Sequence, residues 1–378
     1  MPLFIIVPLL GFAYVVWHVW YVLPWAAPWR WTAVGLCAAC MALAVMNMTR
    51  AMDRLPMWAA TLAYEIGTST LFVALYLFMA FAVLDLLRLT TLVSVGVLRH
   101  NGITALVLAV ACAGIFIAGN IHYNNKVRRE ITLPIARTDT VADRSLPVRM
   151  VLVSDLHIGY NNRRKELARW VDMINAEHAD LILVAGDIID MSLRPLNEED
   201  MAAELRRLNA PVYACLGNHE YYAVRGTRRG GEHDDMSSVE AFYDKAGIHL
   251  LRDEAVTVGQ LCIIGRDDRS AHRRKTLAEL TKAARQTDNG YTIVLDHQPF
   301  NLEAAERAGI DFQFSGHTHH GQVWPISWIT DRVYECAYGL HRRGNTLYYV
   351  SSGLGIWGGK YRIGTCSEYV VATLAAER

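Results

Sequence analysis

The stretch Val148–Gly159, VRMVLVSDLHIG, places an apolar run directly before a polar cluster. The run predicts a buried strand, and Asp155 and His157 follow at its end. The same arrangement recurs in LILVAGDIID at Leu181–Asp190, VYACLGNHE at Val212–Glu220, TIVLDH at Thr292–His297 and FQFSGHTH at Phe312–His319. The chain therefore repeats one design, in which a short apolar strand ends in side chains that bind metal ions.

Helical patterns lie between several of the apolar runs. The predicted strands are Val148–Ser154, Leu181–Ala185, Val212–Leu216, Leu261–Gly265, Thr292–Leu295, Phe312–Ser315 and Thr346–Val350. The predicted helices are Arg164–Ala176, Glu198–Leu208, Ser238–Ala246 and Thr276–Gln286. Strands that alternate with helices predict an α/β sheet domain, whose ligands bind at the carboxyl ends of the strands. The polar clusters fall at those ends.

The first third of the chain is apolar. It contains four runs, at Leu3–Leu23, Trp31–Met48, Met57–Leu84 and Ile103–Ile121. Each run is close to the roughly 20 residues that a helix needs to cross a bilayer. We therefore predict a four-helix transmembrane domain over residues 1–122, a juxtamembrane linker or edge strand over 123–147, and the α/β domain over 148–378.

Charged residues are concentrated in the part of the chain that follows the apolar first third. Residues 1–122 carry five of the 37 basic residues and three of the 37 acidic ones, so 32 and 34 remain for the other part. This balance argues against nucleic acid as a partner, because a polyanion requires a basic excess. It favours a small or membrane-held substrate and the lipid bilayer as partners.

Loop charges predict which side of the membrane the second domain faces. Five basic residues lie on the side of the N-terminus and three lie opposite: Arg50, Arg54, Lys126, Arg128 and Arg129 against Arg30, Arg88 and Arg99. By the positive-inside rule, this difference places both termini, and with them the second domain, in the cytoplasm. The seven cysteines show no framework spacing, which agrees with a reducing compartment.

Two acidic residues lie within or at the ends of the third apolar run. Asp85 has a partner one turn away in Arg88, which predicts a structural ion pair. Glu65 has no such partner in the sequence, so both a position near the headgroups and a substrate contact stay open. Cys37 and Cys40 are predicted to be packing residues.

The polar clusters together contain the ligands that a pair of divalent cations requires. Two metal ions polarise a phosphoryl group and lower the pKa of a water molecule, and they need carboxylates, imidazoles and open positions. The candidate ligands are Asp155, His157, Asp187, Asn218, His297, His317 and His319. One histidine alone is more often a core or surface residue, but five clusters in this order favour one two-metal hydrolytic site. A scaffold that has lost its metals is the remaining alternative.

The five motifs resemble the calcineurin-like metallophosphoesterase superfamily over about Val148 to Glu368. The resemblance implies a β-sandwich flanked by helices, two divalent metal ions such as Mn, Fe or Zn, and hydrolysis of phosphomonoesters, phosphodiesters or pyrophosphates. By position it implies that Asp155, His157 and His319 hold one metal ion and that Asn218, His297 and His317 hold the other. It also implies that Asp187 bridges the two ions and that His219, oriented by Asp190, stabilises or protonates the leaving oxygen.

Longer motifs narrow the resemblance to a membrane-associated bacterial subgroup of that superfamily. They are Gly217–Tyr222, Gly316–Gln322 and Tyr349–Gly355, whereas His320 and Gly358–Arg362 depart from the subgroup pattern. The subgroup implies a multi-pass protein of the bacterial plasma membrane. It also implies a lipid-linked phosphorylated substrate, either phospholipid-like or similar to UDP-2,3-diacylglucosamine.

Basic residues near the motifs are candidates for substrate binding, because arginine can clamp phosphate oxygens. They are Arg163, Arg164, Arg225, Arg228 and Arg229. The Gly-rich stretch Ala223–Asp235 is either a mobile lid or a solvated loop. A different class of function also stays open, in which the chain is a membrane scaffold or sensor and the α/β domain only binds a ligand.

Overall fold

The computed structural model describes residues 2–135, 148–225, 235–285 and 290–376. The chain divides into two compact units. The first comprises residues 1–121 together with 358–360, and the second comprises residues 122–357 together with 361–378.

Four long helices begin the chain: α1 (Pro2–Val22), α2 (Ala27–Asn47), α3 (Met57–Leu89) and α4 (Gly102–Asn124). Among the described residues, three helices, α2, α3 and α4, are long and apolar enough to cross a membrane. The apolar part described in α1, Ile6–Val22, is shorter. Among the described residues, three of the four predicted spanning helices are thus confirmed.

Close packing joins α2 to α3. A side chain at Gly67 of α3 would meet the α2 backbone at Ala44, 2.7 Å from its nitrogen, and the Asn47 amide donates to the Tyr64 carbonyl at 3.1 Å. The acidic residue Asp85 of α3 accepts from Arg88 at 2.8 Å, as predicted. It also accepts from the Tyr14 hydroxyl at 2.6 Å and lies 2.9 Å from His18. Glu65 is exposed.

The described part of the second unit contains twelve strands. They are β1 (Val127–Ile135), β2 (Val148–Val153), β3 (Leu181–Ala185), β4 (Val212–Cys215), β5 (Ile248–Leu250), β6 (Glu254–Val258), β7 (Leu261–Gly265), β8 (Tyr291–Leu295), β9 (Phe312–Ser315), β10 (Gly339–Arg343), β11 (Thr346–Val350) and β12 (Glu368–Ala376). They form two six-stranded sheets, ordered β1-β12-β2-β3-β4-β5 and β10-β11-β9-β8-β7-β6. A buried apolar layer that includes Leu152, Leu183, Ile263, Ile293 and Phe314 joins the sheets.

Helices flank this sandwich. They are α5 (Arg164–Asn175), α6 (Arg194–Glu198), α7 (Met201–Leu205), α8 (Asn218–Arg225), α9 (Ser237–Ala246), α10 (Leu277–Arg285), α11 (Glu303–Arg307) and α12 (Ile326–Val333). Leu167 and Trp170 of α5 pack with Val151 and Ile182 of the first sheet. Leu280 of α10 belongs to the cluster that covers the second sheet. The predicted β-sandwich flanked by helices is confirmed.

All seven predicted strands are present, and the differences lie elsewhere. The stretch predicted as a linker or edge strand contains β1, which lies at the edge of the first sheet beside β12; residues 136–147 lie outside the described part. The helix predicted over Glu198–Leu208 is shorter, since α7 covers Met201–Leu205.

The topology brings the carboxyl ends of the key strands together. In the first sheet β2, β3 and β4 run parallel, and in the second β7, β8 and β9 do so. In parallel strands the carboxyl ends share one edge of the sheet, so the polar segments that follow β2, β3, β4, β8 and β9 can meet.

Candidate metal centre

The loops that follow the strands turn sharply. Asp155, His157, Asp187, His317 and His319 have φ angles of 54°, 44°, 52°, 71° and 47°. Few residues other than glycine adopt this left-handed region, and those that do so are concentrated at functional sites. The turns aim these five side chains, which are all predicted ligands, back across the strand ends.

The side chains converge into three overlapping groups. In each group the possible ligand atoms all lie within 4.8 Å of one another. The groups are Asp155, His157 and His319; Asp187, His297 and His317; and His157, Asp187 and His219. Nε2 of His157 lies 3.0 Å from Nε2 of His319, and Nε2 of His297 lies 3.1 Å from Oδ2 of Asp187. The cluster thus has two ends joined by Asp187 and His157.

The donor atoms fit divalent metal ions. Oδ1 of Asn218 is buried and makes no hydrogen bond with the described residues, and Nε2 of His297 faces the carboxylate of Asp187 at 3.1 Å. A buried polar atom without a partner is costly, and amide oxygen and imidazole nitrogen are common metal ligands. The residues present therefore suit a cation at each end of the cluster.

Electrostatics favour the same conclusion. Burial opposes the charged form of His157, but hydrogen bonds to Asp155 and Asp190 and the charge of Asp187 outweigh it and raise its pKa to about 10. Burial likewise opposes ionisation of Asp187, yet His297 and His219 hold its pKa well below the usual value. The buried carboxylates therefore attract positive charge, which protons on imidazoles or metal ions can supply.

Asp190 contacts two imidazoles rather than one. Its Oδ1 lies 3.1 Å from Nδ1 of His219 and 3.4 Å from Nδ1 of His157. The sequence predicted only the first contact. His219 lies in the first turn of α8, and its backbone N–H donates to Oδ1 of Asp187 at 2.9 Å. The predicted catalytic histidine is thus held both by Asp190 and by the predicted bridging ligand.

Glu220 has a supporting role that the sequence did not reveal. This buried carboxylate accepts backbone N–H groups of Gly217 at 2.8 Å, Ile189 at 2.9 Å and Asp187 at 3.2 Å. It also accepts from the Tyr243 hydroxyl at 3.1 Å. Glu220 therefore fastens the loop after β3 to the turn that begins α8. Nothing in the sequence distinguished it from a solvated glutamate that follows a histidine.

Arg362 is the second residue that the sequence missed. It is fully buried, donates to the His319 carbonyl at 2.7 Å and the Gly355 carbonyl at 3.2 Å, and its Nε donates to Ser367 at 3.0 Å. Among the described residues it makes no ion pair. In the sequence, Arg362 stands out only as part of Gly358–Arg362, which departs from the subgroup pattern. A single arginine in that segment does not indicate a buried structural role.

Two glycines let the backbone approach the carboxylates. A Cβ atom at Gly217 would overlap Oδ1 of Asp187, and one at Gly316 would overlap Oδ2 of Asp155. Any larger residue at either position would displace a predicted ligand.

The predicted substrate arginines have other partners. Arg163 donates to Glu199 at 2.7 Å and Arg164 donates to Glu204 at 2.9 Å, so nearby carboxylates neutralise their charges. Arg225 donates to the Ser270 carbonyl at 2.7 Å. Arg228, Arg229 and most of the predicted lid lie outside the described residues. Exposed Tyr222, by contrast, lies beside His219 with ring centroids 5.2 Å apart.

Comparison with known proteins agrees with this geometry. Residues 148–321, which include every candidate ligand, match the family described as calcineurin-like phosphoesterase. An uncharacterized metallophosphoesterase of Helicobacter pylori strain J99 is 28% identical over 56% of this chain and 55% of its own length. A Danio rerio transmembrane protein with a metallophosphoesterase domain is 30% identical over 58% of this chain and 52% of its own length.

A Bacillus subtilis uncharacterized metallophosphoesterase is 26% identical over 65% of this chain and 90% of its own length. The chain thus spans about half the length of the Helicobacter and Danio relatives that it matches and most of the Bacillus one.

Proposed function

Since residues 148–321 form a calcineurin-like phosphoesterase domain, we propose that this chain is a membrane-bound hydrolase of phosphoester or pyrophosphate bonds that uses two divalent metal ions. The observation that carries the proposal is the convergence of three overlapping ligand groups at the strand ends. The three apolar helices support attachment to a membrane.

The residues divide between two metal positions. Asp155, His157 and His319 would hold one ion, Asn218, His297 and His317 would hold the other, and Asp187 would contact both. Bound there, divalent ions would polarise the phosphoryl group and make water nucleophilic at neutral pH. Mixed oxygen and nitrogen ligands accept Mn, Fe, Zn and similar ions.

His219 and Asp190 serve the leaving group in this proposal. Oδ1 of Asp190 lies 3.1 Å from Nδ1 of His219, so this carboxylate can accept a hydrogen bond from a protonated Nδ1 and fix the tautomer. Nε2 of His219 is then left to donate a hydrogen bond or a proton to the leaving oxygen. The backbone bond from His219 to Asp187 keeps this histidine at the metal cluster.

The substrate in this proposal is a phosphorylated, lipid-linked molecule at the bacterial plasma membrane, with the catalytic domain in the cytoplasm. Phospholipid-like molecules and an acylated UDP-sugar such as UDP-2,3-diacylglucosamine both suit this description. Similarity to the Danio transmembrane protein with a metallophosphoesterase domain supports the membrane setting. The near-zero net charge of the chain argues against nucleic acid.

The test uses the full-length protein purified in detergent, stripped of metal and resupplied with Mn, Zn, Fe or Mg. Substrates are a bis-aryl phosphodiester, an aryl phosphomonoester and an acylated UDP-sugar. His219→Ala is the inactive variant, and His249→Ala, an exposed histidine on β5, is the matched control. Turnover that requires both metal and His219 supports the proposal. Two equivalents of bound metal without turnover point to a substrate outside this set, whereas a protein that binds no metal overturns the proposal in favour of a scaffold.

A further inference from the structure

Helix α12 and Trp324, two residues before it, expose large apolar side chains. Trp328, Ile329 and Val333 are 65%, 61% and 60% exposed, and Trp324 is 41% exposed. The rings of Trp324 and Trp328 meet edge to face with centroids 5.3 Å apart. We call these four residues the α12 apolar surface. Neighbouring exposed apolar side chains of this kind can mark an interaction site.

The α12 apolar surface is fixed to the metal centre. The Trp324 N–H donates to the Ile363 carbonyl at 2.7 Å. The preceding residue, Arg362, donates to the His319 carbonyl. The opposite side of the helix is buried at Ser327, where a Cβ atom at Gly321 would overlap the helix backbone. The exposed residues thus belong to the same rigid segment as the candidate ligand His319.

The connection between the helices and the sandwich points to the occupant of this surface. Helix α4, which is long and apolar enough to cross a membrane, ends at Asn124, and β1 begins at Val127. Only Asn125 and Lys126 separate them, a reach of about 10 Å. This short link keeps the sandwich close to any bilayer that α4 crosses, so lipid is within reach of its exposed apolar side chains.

The composition of the surface suits a bilayer interface. Tryptophan is enriched at the level of lipid headgroups, and aliphatic residues of interfacial helices enter the boundary of the acyl chains. Arg332 is exposed between Ile329 and Val333 in the sequence and can meet anionic lipid phosphates. The short link between α4 and β1 therefore favours lipid over a soluble protein as the occupant of this surface.

We propose that Trp324, Trp328, Ile329 and Val333 insert into the interfacial layer of a phospholipid bilayer and so hold the His317–His319 turn at the headgroups. This inference concerns membrane contact and does not require that the chain be catalytic. If the chain is a hydrolase, the contact selects substrates whose phosphate lies in the headgroup layer over soluble ones.

The test places an environment-sensitive fluorophore on single introduced cysteines in the full-length protein. Trp328→Cys and Val333→Cys report on the surface, and Ala278→Cys, at an exposed position on α10, is the control. Each variant is reconstituted into nanodiscs of phosphatidylethanolamine and phosphatidylglycerol, with or without nitroxide on the acyl chain near the headgroup. Unsubstituted protein, labelled in parallel, supplies the background from native cysteines.

Quenching by nitroxide lipid that is several-fold stronger at positions 328 and 333 than at 278 supports the proposal. Equal quenching at all three positions overturns it. A label at 328 that is shielded from water yet insensitive to nitroxide lipid also overturns it, because that result indicates a protein partner or a second copy of the chain. Metal content and melting temperature equal to those of the unsubstituted protein show that each variant is folded.

Discussion

Nδ1 of His219 lies 3.1 Å from Oδ1 of Asp190. The same oxygen lies 3.4 Å from Nδ1 of His157, so one buried carboxylate orients both the proposed proton donor and a proposed metal ligand. Its pKa is held below the usual value because, although burial opposes ionisation, both imidazoles hydrogen-bond to it. In the proposed mechanism, leaving-group chemistry and metal binding are therefore linked through Asp190.

The first prediction separates these two roles. Asp190→Asn is expected to weaken metal affinity about 10- to 100-fold, because His157 loses the partner that orients it. It is also expected to lower kcat, whereas His219→Ala is expected to lower kcat by about 10²- to 10⁴-fold with metal affinity retained. Metal titration and turnover at saturating metal measure the two effects. Unchanged metal affinity in Asp190→Asn would show that Asp190 serves His219 alone.

Removal of metal is expected to destabilise the second unit. The carboxylates of Asp155 and Asp187 are buried in overlapping groups that share His157, and cations bound there would offset their mutual repulsion. A ligand at about 100 times its Kd adds roughly 2.7 kcal/mol to the free energy of unfolding. Chelation should therefore lower the melting temperature, and resupplied metal should restore it. Asp187→Asn should melt at the same temperature with and without chelator.

Substitution of Glu220 is expected to act through the backbone. Glu220→Ala removes the acceptor of three N–H groups and should reduce the free energy of unfolding by about 3 kcal/mol or more. Tyr243→Phe removes one hydroxyl donor to the same carboxylate and should cost only about 1 kcal/mol. Denaturant unfolding of both variants gives the comparison. Similar losses in the two variants would mean that the backbone contacts of Glu220 contribute little.

Arg362 is expected to be irreplaceable by lysine. Its planar guanidinium reaches the His319 and Gly355 carbonyls and Ser367 together, whereas an ammonium group cannot match that geometry. Arg362→Lys should lower the free energy of unfolding by on the order of 2–4 kcal/mol and weaken metal binding at the end that contains His319. Arg332→Lys, at an exposed position on α12, is the matched control and should leave both quantities unchanged. Full metal affinity in Arg362→Lys would limit its role to stability.

Local signals in the sequence were sufficient for the sandwich strands and for the convergence of the candidate ligands. Apolar runs such as Leu181–Ala185 are buried along their whole length. The polar turns that follow β2, β3 and β4 lie at the same edge of the sheet because these strands are parallel. The order of strands was not accessible in this way. Strand β12 lies between β1 and β2, far from them in sequence, and its position depends on contacts that no local pattern encodes.

The residues that support the site were harder to predict than the ligands. Glu220 and Arg362 are charged and buried, and only the carbonyls and N–H groups that surround them explain why. Two of the arginines predicted to bind substrate have carboxylate partners that no local pattern revealed. Glu199 and Glu204 lie beside Arg163 and Arg164 only in the folded chain.

The last prediction concerns Tyr123, a fully buried residue of the second unit in the final turn of α4. Its hydroxyl donates to Oδ1 of Asn162 at 2.8 Å, and the amide of Asn162 donates to the His157 carbonyl at 3.1 Å. Tyr123→Phe leaves Oδ1 of Asn162 buried without this donor, which should cost about 1–3 kcal/mol. Because Asn162 also holds the loop that carries His157, metal affinity should fall as well. Tyr213→Phe, on β4, is the control; an equal loss in both variants, or metal affinity unchanged in Tyr123→Phe, would show that the Tyr123 bond does not position the metal loop.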